Sequence, residues 1–89
     1  MECYTLITGA SSGMGALCAK VLSSTRRLII ASENLAMLEE TIQKCEHPER
    51  HILWHCDFAC QREEVYDSLS RVLSDNAAYI NEYVHFAGL

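Results

Sequence analysis

The sequence predicts an α/β fold with a doubly wound parallel sheet, and three observations lead there. Short continuous apolar runs alternate with longer stretches in which apolar residues recur every three or four positions. The connections between them are short, and the first run ends in a glycine-rich turn, Thr8-Gly9-Ala10-Ser11-Ser12-Gly13-Met14-Gly15. A strand–helix–strand–helix–strand–helix–strand order with such connections implies parallel strands with helices on both faces of the sheet.

Tyr4-Thr5-Leu6-Ile7-Thr8, β-branched and apolar, is the first strand and stops at Gly9. From Gly13 to Ser24 the residues are small or helix-favouring, and Met14, Leu17, Val21 and Leu22 are spaced to face the sheet. Leu28-Ile29-Ile30-Ala31, between Arg27 and Ser32, is too short for a buried helix and forms the second strand. Leu35, Leu38, Ile42 and Cys45 mark the second helix, with Asn34 as its N-cap and Glu40 placed four residues before Lys44. His47-Pro48 ends it, and Ile52-Leu53-Trp54-His55-Cys56 is the third strand. Val65, Leu69 and Val72 give the third helix its buried stripe. Glu63 and Glu64 suit its first turn, and Ser74-Asp75-Asn76 ends it. Tyr83-Val84-His85-Phe86-Ala87 is the fourth strand, closing at Gly88. The expected sheet order is 3-2-1-4, which places a ligand crevice at the carboxyl ends of strands 1 and 4, where the winding reverses.

Eighty-nine residues make at most one domain with a small core. The net charge of −5, with Arg26-Arg27 as the only adjacent basic pair, argues against a surface that tracks nucleic-acid phosphates. Five cysteines, an odd number without a C-x-x-C pair, read as reduced thiols of a cytoplasmic protein. No basic leader and no apolar stretch of about 18 residues is present, so neither export nor membrane insertion is expected. His47, His51 and His55 recur every four residues, but Pro48 and the strand-like Ile52-Leu53-Trp54 keep them from sharing one helical face, and no metal site is expected.

The glycine turn lies between a strand and a helix, the context in which such a turn binds a dinucleotide. Gly9 permits the turn, Gly13 leaves room for a pyrophosphate to approach the backbone, and Gly15 allows tight helix packing. The amides of Gly13, Met14 and Gly15 and the helix dipole attract the diphosphate, and Ser11 and Ser12 add hydroxyl donors. No Gly-Lys-Ser/Thr follows, which excludes a nucleoside-triphosphate P-loop.

The spacing T-G-x-x-x-G-x-G resembles the cofactor turn of the short-chain dehydrogenase/reductases, whereas the epimerase-like branch usually carries T-G-x-x-G-x-x-G. The resemblance covers essentially the whole chain and implies a Rossmann-like domain. Cys56-Asp57-Phe58 resembles the family's Asp-Val segment, which implies that Asp57 accepts a hydrogen bond from the adenine amino group and that Phe58 packs beside the ring; a capping or loop carboxylate is the other reading of Asp57. His85-Phe86-Ala87-Gly88 stands where the family has Asn-Asn-Ala-Gly. Ala87 and Gly88 keep the small surface beside the cofactor. Both asparagines are replaced; His85 supplies part of their polar support or is a buried, hydrogen-bonded histidine, and it is not assigned a catalytic role.

Cofactor choice falls to the residues after the second strand, Ser32, Glu33 and Asn34, because an acid there bonds the ribose 2′-hydroxyl whereas an arginine accepts a 2′-phosphate. In one alignment Glu33 takes the family's arginine position, and with a one-residue shift it takes the acid position. Both favour NAD over NADP. A solvated carboxylate at the helix N-terminus is the alternative reading of Glu33.

The family's mechanism uses a tyrosine, a lysine four residues later and a serine. Lys20 and Lys44 are the only lysines, and the residues four positions after Tyr4, Tyr66, Tyr79 and Tyr83 are Thr8, Ser70, Tyr83 and Ala87. Residues 1–89 are therefore expected to be the N-terminal half of a single NAD(P)-binding domain, ending after the fourth strand. Alone, this half is expected to be inactive, and either poorly stable or self-associating as a homo-oligomer through the open edge of the fourth strand. The parent is expected to move hydride between nicotinamide and a small carbonyl or alcohol substrate. A non-catalytic dinucleotide-binding or interaction module is the alternative.

Overall fold

The structure, a computed structural model, describes residues 2–10 and 13–85. The elements follow the order β1 (Glu2–Thr8), α1 (Gly13–Leu22), β2 (Leu28–Ser32), α2 (Leu35–Lys44), a 3-10 turn at Pro48–Arg50, β3 (Ile52–His55), α3 (Arg62–Asp75) and β4 (Ala78–His85). They form a four-stranded parallel sheet of order β3-β2-β1-β4, the expected Rossmann-like arrangement.

Alternation along the strands builds two cores. Ile7, Leu28 and Ile30 point to the face covered by α1 and α2, where they meet Ala10, Ala19, Leu38, Ile42 and Cys45. Tyr4, Leu6, Ile29, Ala31 and Trp54 point to the α3 face, where Val65, Leu69 and Val72 pack against them but stay half-buried rather than forming the buried stripe expected. Trp54 Nε1 donates to Ser68 Oγ at 2.8 Å, so the indole is buried without an unpaired donor. His51, also buried, accepts from Leu28 N at its Nδ1 (3.1 Å) and pairs through Nε2 with the Glu46 carbonyl (2.7 Å), tying the start of β2 to the end of α2.

Two expectations are corrected. Met14, Leu17 and Val21 do not face the sheet: they are 68%, 52% and 65% exposed. The inward stripe is Gly15, Cys18, Ala19 and Leu22, an i, i+3, i+4, i+7 set of mostly small residues that bring α1 close to β1. The fourth strand starts at Ala78, five residues before the expected Tyr83. Its polar residues fit because the ladder shifts register between Tyr4 and Thr5 on β1, leaving Asn81 outside the paired positions. Glu82 is held there by Thr5 Oγ1 at 2.7 Å and Arg26 Nε at 2.6 Å. Phe86, Ala87 and Gly88, the end of the expected strand, lie outside the described residues. Smaller boundary shifts extend β1 back to Glu2 and carry β2 through Ser32.

Candidate functional site

The carboxyl ends of the strands gather most of the described candidate residues at one edge of the sheet. Gly9 leaves β1 with φ +71°, a left-handed conformation that favours glycine. Ala10 is then anchored on both sides: its N–H donates to the Ala31 carbonyl at 3.2 Å, and its carbonyl accepts from Thr41 Oγ1 at 3.0 Å. Thr41, a buried α2 residue, was not legible as part of the site, because a threonine inside an amphipathic helix carries no sequence signal for a partner 31 positions away.

Gly13 and Gly15 play different parts. Gly13 opens α1 with φ +58°, and a Cβ built on it would meet nothing within 4 Å. A Cβ on Gly15 would collide with the Gly9 carbonyl oxygen and lie 2.8 Å from its carbon. The turn is thus closed on the protein side, at Gly15, and open on the outer side, at Gly13 and the exposed Met14. Such an opening at a helix N-terminus suits a diphosphate cradled by backbone amides. Ser11 and Ser12 lie outside the described residues.

At the next strand end Ser32 is buried, and its Oγ accepts from Asn34 N at 3.1 Å. Asn34 caps α2 through Met37 N at 3.1 Å, so the capping role belongs to Asn34 and leaves the Glu33 carboxylate exposed. The Glu33 carbonyl pairs with His55 Nε2 at 2.9 Å. Past β3, Asp57 is exposed and its Oδ1 accepts from Ala59 N at 2.9 Å, a local turn contact that matches the loop-carboxylate reading and uses one carboxylate oxygen. Phe58 packs edge-on against Trp54, with centroids 5.4 Å apart. Burial pushes the Cys56 thiol up, with Cys60 and Asp57 acting in the same direction. That keeps it a neutral thiol beside the turn.

At the end of β4, His85 is exposed, in contrast to the buried histidine that was one reading of it. Its Nδ1 pairs with Thr8 Oγ1 at 2.5 Å and with Tyr83 OH at 2.8 Å. The imidazole therefore joins the ends of β1 and β4, a polar tie where the resembled family has asparagine. Ala87 and Gly88 lie outside the described residues. His47, His51 and His55 do not converge: His47 lies in a left-handed turn at φ +53°, while His51 and His55 bond separate backbone groups.

No family model matches the chain, and no curated protein matches it significantly. Solved structures do. Glucose dehydrogenase of Caenorhabditis elegans in its apo form superposes with a TM-score of 0.79 at 22% identity, over 96% of this chain and 37% of that one. A short-chain dehydrogenase from Bacillus anthracis gives 0.78 at 21% identity, over 94% of this chain and 34% of that one. YwfH, an NADPH-dependent reductase involved in bacilysin biosynthesis, gives 0.64 at 24% identity, over 86% and 34%. The chain spans about a third of the length of these proteins. Over the part it covers, the chain has the fold of short-chain dehydrogenases.

Proposed function

We propose that this chain forms the adenosine- and diphosphate-binding half of the cofactor site of an NAD(P)-dependent short-chain dehydrogenase/reductase. The observation that carries this reading is the asymmetry of the glycine turn, closed at Gly15 and open at Gly13, at the carboxyl end of β1 beside the change in winding direction. Nicotinamide, when bound, supplies hydride transfer to or from a carbonyl or alcohol carbon. The residues here bind and orient: the first amides of α1, with Ser11 and Ser12, hold the diphosphate, Ser32 and Glu33 meet the adenosine ribose, and Asp57 and Phe58 border the adenine. Ala87 and Gly88 leave space beside the cofactor. Glu33 tilts the choice towards NAD, although one protein of similar fold is an NADPH-dependent reductase.

Residues 1–89, lacking a Tyr-x-x-x-Lys pair, bind without turning over substrate. That absence equally suits a non-catalytic dinucleotide-binding or interaction module, and a coding sequence that continues into such a pair separates the enzyme from the module. Calorimetric titration of the chain with NAD+ tests the binding. Saturable binding that Gly13→Glu abolishes, by placing a carboxylate where the diphosphate approaches, is the expected result. Absence of binding, or equal binding by the variant, contradicts the reading.

A further inference from the structure

We infer that His55 is a positioning residue for cofactor discrimination, acting through the backbone of Glu33. The inference rests on the proposed dinucleotide site. Peptide groups on both sides of the Glu33 Cα are tied down. On the N-terminal side, the Ser32 carbonyl accepts from Cys56 N at 3.0 Å. On the C-terminal side, Asn34 N donates to Ser32 Oγ at 3.1 Å, while the Glu33 carbonyl accepts from His55 Nε2 at 2.9 Å. Asn34 is itself fixed, because its carbonyl accepts from Leu38 N at 3.1 Å and its side chain caps Met37 N.

Of these contacts only the one from His55 reaches the corner from a side chain of another strand. Because a carbonyl only accepts, His55 Nε2 carries the proton and donates. The parallel register sets Ser32 opposite His55, so the ring extends one residue further to the Glu33 carbonyl. The exposed carboxylate then leaves a fixed Cα, with only its side-chain torsions free. A charge held in place discriminates between a ribose hydroxyl and a 2′-phosphate better than one whose backbone wanders, because the ordering cost is met before the ligand arrives.

The test compares NAD+ and NADP+, which differ only in the 2′-phosphate, by titrating the full chain and reading the ratio of their dissociation constants. His55→Phe keeps an exposed ring on an edge strand and removes the donor; His55→Gln keeps an N–H. The unmutated chain is expected to favour NAD+ by about tenfold, His55→Phe to reduce that ratio at least about threefold, and His55→Gln to restore most of it. In a Glu33→Gln background, His55→Phe should leave the ratio unchanged, an outcome that a general loss of structure would not produce. A chain that prefers NAD+ whatever stands at 55, or a His55→Phe effect that persists without the Glu33 charge, overturns the inference and leaves the site intact. A chain that binds neither dinucleotide overturns the site and the inference together.

Discussion

Gly15 and Gly13 sit two residues apart, yet a methyl group would meet different surroundings at each. At Gly15 it strikes the Gly9 backbone, which cannot rotate away as a side chain would, so Gly15→Ala is expected to cost about 1–3 kcal/mol. At Gly13 it meets open space, and only the positive φ is strained, at about 1–2 kcal/mol. Denaturant unfolding of both variants should therefore show a loss in each. Only Gly15→Ala should also displace the Gly9–Ala10 amide signals, and unmoved signals would place the helix further from the turn. Glu33 supports a second prediction. Unit like charges ~5 Å apart at an effective dielectric near 20 repel by about 3 kcal/mol, and solvent access reduces this towards the ~1.4 kcal/mol that makes a tenfold preference. Glu33→Arg should therefore shift the NAD+/NADP+ affinity ratio by at least about tenfold towards NADP+. An unchanged ratio would mean that the carboxylate points away from the ribose. The positions of both glycines and of Glu33 were legible in the sequence because each belongs to a local strand–turn–helix pattern. Thr41 and His55 were not, since their hydrogen bonds join segments far apart in the chain.

Among the elements, α1 and β4 depart furthest from sequence periodicity, for opposite reasons. In α1 the spacing of the larger apolar residues points to a sheet-facing stripe, but close approach to β1 selects the small ones, so Gly15 and Ala19 are buried while Met14 and Val21 lie outside. Ala19→Leu should accordingly destabilise the fold by about 1–3 kcal/mol, whereas Leu17→Lys, on the exposed side, should change it by less than about 0.5 kcal/mol. The reverse order in thermal unfolding would contradict this face assignment. In β4, Glu82 hid the strand because a charge breaks the apolar run, and the structure compensates it with Arg26 and Thr5. The hydrogen bond from Arg26, then that from Thr5, holds the Glu82 carboxyl below its ordinary range. A carboxyl with a lowered folded pKa contributes stability above its unfolded pKa and loses it as pH falls through the folded value. Glu82→Gln should thus be less stable than the unmutated chain at neutral pH. The difference should vanish in acid below the carboxylate range, and a pH-independent difference would show that the ion pair contributes nothing.

At the scale of the whole molecule, β4 is the outer strand of the described sheet, eight residues long, with Tyr79 and Tyr83 exposed along it. An open edge of that length favours pairing with another chain. Sedimentation equilibrium should show association that rises with concentration, and a monomer throughout would mean that the edge is protected. The 3-2-1-4 order was legible because β1, β2, β3 and the carboxyl end of β4 read as short strand-like runs joined by short connections, and parallel connections have one hand. The central claim, that the ends of β1, β2 and β3 form an adenosine- and diphosphate-binding surface, is tested most directly by mapping amide chemical shifts of the chain during titration with NAD+. The expected result is saturable movement centred on Gly9–Gly15, Ser32–Asn34, Asp57–Phe58 and Ala87–Gly88, with Arg26 and Glu82, at the Thr25–Arg27 end of the sheet, unmoved. No saturable change, or changes centred on Arg26 and Glu82 instead, would contradict it.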